Sequence, residues 1–138
     1  MLAPSALAED RLVDDVPVTV NGSASPLEDF EGWTFVYPNP VTGPTGTFCI
    51  WSPFRAKVFL KLYNVAGELI LSHDFGDQPA TFQNLSNVAC NGGLPYVWGK
   101  VNQKGRAIAR GLYYAVVRIE ETEGGANVLQ TVKKVVVP

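Results

Sequence analysis

One histidine, His73, and two cysteines, Cys49 and Cys90, are all the imidazole and thiol side chains that this chain of 138 residues offers for nucleophilic or metal chemistry. His73 stands beside Asp74 in an apolar segment with no nucleophile motif nearby, so it reads as a strand residue and not as the base of a triad. The cysteines lack both a CxxC partner and a histidine at zinc spacing, which excludes a zinc module or a CxxC redox site. The acids Glu68, Asp74, Asp77, Glu120, Glu121 and Glu123 fall mostly at turns and suggest no carboxylate pair for glycoside chemistry. Asn91-Gly92-Gly93 and Glu123-Gly124-Gly125 lack the partners of a phosphate loop or a calcium loop. The expectation is a protein with no cofactor and no catalytic centre. Charged residues make up only 17% and the net charge is −2, which gives no electrostatic case for nucleic acid. No apolar run approaches the roughly 18 residues of a membrane-spanning helix.

Cys49 and Cys90 leave two possibilities: buried free thiols in a strand core, or one bridge. A bridge would close a long loop and, on the chain-entropy estimate, stabilise the fold by about 4 kcal/mol. Charge is unevenly placed. Residues 1–32 hold seven acids (Glu9, Asp10, Asp14, Asp15, Glu28, Asp29, Glu31) against Arg11 alone, whereas residues 33–138 hold more bases than acids. The chain therefore reads as an acidic N-terminal arm, residues 1–32, before a basic body, residues 33–138. Acidic arms are usually solvated, but Val16, Val18 and Val20 alternate as one apolar face of a strand would, so this arm could pair with a sheet edge. Ala6 and Ala8 stand as small residues do before an export cleavage site, although the basic and apolar regions of a full signal are missing. The sequons at Asn21 and Asn84 are permissive but weak signs of secretion. A secreted or cell-surface location is expected.

The body reads as short strands between turns: residues 33–37, 45–51, 57–63, 68–75, 96–98, 106–110, 112–120 and 127–137. Residues 57–63 alternate, with Val58, Leu60 and Leu62 on one face, and residues 112–120 place Tyr113, Ala115, Val117 and Ile119 on one face. The 13 glycines and 10 prolines mostly separate these segments, and no stretch of the body holds a helical period. Seven or more strands at intervals of about 8–12 residues predict an all-β fold, an immunoglobulin-like antiparallel β-sandwich with an extended N-terminal arm. Trp33, Trp51 and Trp98 could stack on sugar rings, but in a sandwich they more often fill the core.

The ordered set Tyr37-Pro38-Asn39-Pro40, residues 58–67 ending at Gly67, Trp98-Gly99 followed by residues 102–105 ending at Gly105, Gly111-Leu112-Tyr113, and Lys133-Lys134 in the last segment resembles the Ig-like domain of flagellar hook-capping proteins and of the C-terminal sorting domains of type IX secretion substrates. The resemblance covers residues 33–138. It implies a strand boundary at Tyr37, Pro38, Asn39 and Pro40, a hairpin turn at Gly67, a buried ring at Tyr113 and a closing strand that includes Lys133 and Lys134. It also implies a non-catalytic module of a secreted or surface protein of a Gram-negative bacterium. The expected partner is protein, either copies of this chain joined through the arm into a filament or other assembly, or a secretion or surface apparatus that sorts and anchors it. A carbohydrate partner is the remaining alternative; nucleic acid and a membrane span are not expected.

Overall fold

Alternation of apolar and polar residues turns one face of each long strand inward, and in the computed structural model, which describes residues 25–81, 90 and 92–138, those faces meet as the core. Seven strands, β1 (Phe35–Tyr37), β2 (Gly46–Ile50), β3 (Ala56–Asn64), β4 (Leu69–Gln78), β5 (Leu94–Trp98), β6 (Gly111–Glu121) and β7 (Val128–Val137), follow one helix, α1 (Ser25–Trp33). They form two antiparallel sheets, β1-β2-β5 and β4-β3-β6-β7. The fold is an all-β sandwich, and its strand order is the A-B-E and C′-C-F-G arrangement of immunoglobulin-like domains. Val58, Leu60 and Leu62 of β3 and Ala115, Val117 and Ile119 of β6 are buried against Val36, Phe48, Ile50 and Trp98 of the other sheet.

Tyr113 sits at the start of β6, buried, and its hydroxyl donates to the Ala109 carbonyl at 2.5 Å, the tyrosine corner of such sandwiches. Burial also pushes its phenol pKa up. Two turns share one construction. Asn64 Oδ1 accepts from the Ala66 and Glu68 amides, and the Gly67 amide donates to the Asn64 carbonyl. Asn102 Oδ1 accepts from the Lys104 and Arg106 amides, and the Gly105 amide donates to the Asn102 carbonyl. Both glycines take φ near +80° (+84° and +78°), where a side chain would be strained.

Two segments differ from the sequence expectation. Residues 106–110 are not a strand: Val101 and Ala107 make an isolated bridge only. Two main-chain bonds hold that bridge, Asn102 N–H to the Arg106 carbonyl and Ile108 N–H to the Lys100 carbonyl, and beyond it the segment runs into the bond between the Ala109 carbonyl and the Tyr113 hydroxyl instead of extending a ladder. Residues 25–33, read as the end of the acidic arm and the start of the first strand, form α1, and β1 begins only at Phe35. Pro26 suits a first helical turn, where its missing N–H would have no acceptor, and Glu28 complements the helix dipole there. Phe30 is fully buried in the core and Leu27 packs against it, so α1 seals the rim between β7 and β2. Lys133 Nζ donates to the Glu31 carbonyl from below.

Candidate interaction surface

A sandwich offers a partner either its strand edges, with their free main-chain groups, or its outer faces. The outer strands of the four-stranded sheet are partly closed by amide side chains. Asn39, from the connection between β1 and β2, donates from Nδ2 to the Lys134 carbonyl (2.7 Å) and accepts at Oδ1 from the Val136 amide (3.0 Å). The Val41 amide donates to the Val136 carbonyl at 2.8 Å, so the Pro-Asn-Pro connection lies along β7 as a short strand would. Both peptide bonds into its prolines, Tyr37-Pro38 and Asn39-Pro40, are cis. On the opposite rim Gln103 serves β4: its main-chain N–H donates to the Ile70 carbonyl (2.9 Å) and its side-chain Oε1 accepts from the Ser72 main-chain N–H (2.7 Å).

The closure of β7 is incomplete. Because main-chain groups of alternate residues face one side of a strand, the outward orientation at Lys134 and Val136 carries over to Val132 and Gln130, in a ladder with no register shift. Among the described residues, no side chain or connection hydrogen-bonds to the main chain at those two positions. The remaining edges are poor acceptors: β1 is three residues long, and β5 contains Pro95, which has no N–H to offer.

The faces differ in charge. Lys57, Lys61, Asp74, Asp77, Arg118, Glu120, Glu121, Lys133 and Lys134 all lie on the four-stranded sheet, whereas β1, β2 and β5 contain no charged residue. Residues 33–54 and 78–99, which supply those three strands, are free of charge throughout. Cross-strand partners share a face, so Tyr37, Thr47 and Val97 form one outward row, and Phe35, Cys49 and Pro95 a second. Val97 is 64% exposed and Tyr37 38%; Trp33, 53% exposed, lies with its ring 6.2 Å from that of Trp51. Cys49 in the second row is fully buried and bonded to Cys90, with a Cα–Cα separation of 5.4 Å. The bridge fastens Cys90, which lies between β4 and β5 in the sequence, to the outer side of β2.

Trp98 is buried and donates from Nε1 to the Val101 carbonyl at 2.8 Å, so it packs the core. Gly111 opens β6 with φ of +148°. His73 faces the rim, its ring centroid 4.5 Å from that of Phe75 and 4.6 Å from that of Tyr96. A shallow depression of about 300 Å³ lies on the outer side of the four-stranded sheet among Phe59, Tyr63, Val116 and Arg118. Arg118 is held there by Glu120 at 2.8 Å. Burial lowers the Lys133 pKa, with Glu31 opposing the shift, and raises that of Glu31, with Lys133 opposing it. Asp77 is held below the usual carboxylate range, chiefly by the Thr122 hydroxyl and then by Arg55. The expected pairing residues Val16, Val18 and Val20 lie outside the described residues. No helix among the described residues is long and apolar enough to cross a membrane.

No protein-family model matches the chain, and no curated protein matches it. Among solved structures, dimeric latent PorU from Porphyromonas gingivalis is similar with a TM-score of 0.54 and 20% identity over 75% of this chain, which spans only 9% of that protein. FlgD from P. aeruginosa gives a TM-score of 0.43 and 18% identity over 65% of this chain and 60% of that one. The likeness to PorU is one of fold: the sandwich recurs as a small part of a much longer chain. The likeness to FlgD is too distant to carry an argument.

Proposed function

We propose that this chain is a non-catalytic interaction module of a secreted or surface protein, and that it assembles with copies of itself through its N-terminal arm. The strand-like part of the arm, Val16, Val18 and Val20, pairs with β7 of another copy at Gln130 and Val132. The observation that carries this reading is the uneven closure of the sheet edges. Asn39 closes β7 at Lys134 and Val136 and Gln103 closes β4 at Ile70 and Ser72, whereas β7 still has outward main-chain groups at Gln130 and Val132. The acids of residues 1–24 and the cation of Lys134, next along that edge, favour the same approach. Deleting residues 1–24 retains α1 and all seven strands and is expected to leave a folded chain whose self-association is at least about tenfold weaker. If the truncated chain assembles as tightly as the full one, the arm is not the joining element.

A second reading is a C-terminal sorting or anchoring domain of a larger protein exported by the type IX route. It is supported by the motif resemblance over residues 33–138 and by the recurrence of the fold as a small part of the longer PorU chain. Fusing residues 25–138 behind a periplasmic reporter in a type IX-competent cell tests it: export supports sorting, and retention in the periplasm rejects it.

A further inference from the structure

We infer that the outer face of the three-stranded sheet is a second self-association surface, on which two copies of this chain pack through Tyr37, Thr47 and Val97. It deepens the reading of the chain as an interaction module, but it uses neither the arm nor the β7 edge.

Three observations converge on this face. Tyr37, Thr47 and Val97 are brought into one row by the register of β1, β2 and β5, and Phe35 of the adjacent row has its ring 5.9 Å from that of Tyr37. Val97 and Tyr37 are among the few large apolar side chains left exposed, and Trp33 stands at the end of the same sheet. No charged residue lies on any of the three strands, although the other sheet has nine. Depletion of charge with enrichment of Trp, Tyr and Phe is what distinguishes the buried centre of a protein interface from ordinary surface.

The absence of charge also selects the occupant. In an isologous contact a patch meets its own copy across a two-fold axis, so a charge near that axis would face its like and oppose docking. An uncharged face meets no such penalty. A sugar chain would need donors and acceptors to orient its hydroxyls, and the row offers only the Thr47 hydroxyl and the Tyr37 phenol. An anionic partner would find no cation. The contact is small: three strands about 4.8 Å apart and up to five residues long span at most about 250 Å², and at Cys49 that face is already covered by Cys90. A standard interface buries about 800 Å² per partner, so this dimer is weak and forms at high local concentration.

Sedimentation velocity of the full chain, from low micromolar to several hundred micromolar, tests the inference. The wild type is expected to associate with rising concentration. Val97→Lys and Tyr37→Glu, each with an unchanged urea midpoint, should weaken that association at least about tenfold, the range of a central interface residue. Val65→Lys, which alters an exposed apolar residue in the β3–β4 turn, should leave it intact. The inference is overturned if the wild type stays monomeric, if the face variants associate like the wild type, or if Val65→Lys is equally disruptive. Binding of a soluble neutral glucan that quenches tryptophan fluorescence in a monomeric chain, and is lost in Tyr37→Glu, would also overturn it. Val18→Pro in the arm separates the two readings. Loss in that variant without loss in the face variants rejects the face and keeps the arm, and the reverse rejects the arm and keeps the face.

Discussion

Replacing Asn39 with alanine removes two hydrogen bonds at once, the Nδ2 donation to Lys134 and the Oδ1 acceptance from Val136, and leaves the connection held at β7 only by the Val41 amide. Each exposed bond contributes about 0.5–1.5 kcal/mol net, so the loss is about 2 kcal/mol, well above the effect of an ordinary surface substitution. With a urea m-value of about 1.5 kcal/mol/M, the midpoint should fall by about 1.3 M at unchanged slope. The freed groups of Lys134 and Val136 should also make the variant more prone to associate through β7. Asn39→Asp separates the two bonds. Its carboxylate still accepts from Val136 but faces the Lys134 carbonyl, so at neutral pH it should cost at least as much as alanine. Protonation restores a donor; the carboxyl pKa of the folded variant is therefore raised, and its stability recovers as pH falls through that value. Gln103→Ala should cost about 1 kcal/mol, because one side-chain bond is lost while the main-chain bond to Ile70 stays. Since Asn39 and Gln103 serve opposite rims, the double variant should be additive. A midpoint for Asn39→Ala equal to that of the wild type would refute the idea that this amide closes the edge.

Other expectations concern the bridge, the helix and pH. Cys49→Ala with Cys90→Ala should lower stability in equilibrium urea unfolding by about 4 kcal/mol on the chain-entropy estimate, an upper bound if the unfolded chain retains structure. Phe30→Ala should cost about 3–5 kcal/mol by the same measurement, because Phe30 is fully buried; a loss below about 1 kcal/mol would mean that α1 is only loosely attached. The depressed Asp77 pKa adds stability above the unfolded carboxyl value near 3.9, and that stability is lost as pH falls through the lower folded value. Asp77→Asn should therefore lower the urea midpoint at neutral pH, and its difference from the wild type should shrink towards pH 2. Glu31 acts oppositely: its pKa is raised by burial, so its protonation favours the folded state as pH falls.

The strands were legible because their alternation is a local property: residues 57–63 and 112–120 reveal their inward faces without knowledge of any partner. Helix α1 was hidden by its acids. Glu28, Asp29 and Glu31 dominate the composition, whereas only Leu27 and Phe30 mark the buried stripe, too few to establish a period. The serine and proline at 25 and 26, followed by Glu28, were the available local signal. The uncharged runs at 33–54 and 78–99 were also visible, but their meaning was not. Phe48 and Trp98 within them are buried, whereas Trp33 and Val97 are exposed, and only the register tells these apart. Asn39 lies 95 residues from Lys134, and Gln103 31 from Ser72, so no local pattern could disclose that these amides cover sheet edges.

The two proposed contacts differ in symmetry and in their response to salt. An arm laid on the β7 edge of the next copy is heterologous and can propagate, whereas a face that packs on itself closes a pair; together they would cross-link chains into paired filaments. The arm contact draws on acids of residues 1–24 and on Lys134 at an exposed edge, so it should weaken as the screening length falls from about 10 Å at 0.1 M salt to about 3 Å at 1 M. The uncharged face has nothing to screen, and an excluded salt such as sulfate should strengthen it. Sedimentation at several hundred micromolar, where the weak face contact forms, should therefore show long assemblies in low salt that shorten in sodium chloride to dimers, and dimers should persist in sulfate. Dissociation to monomers in sodium chloride and sulfate alike would show that charge holds both contacts, which an uncharged sheet face cannot explain.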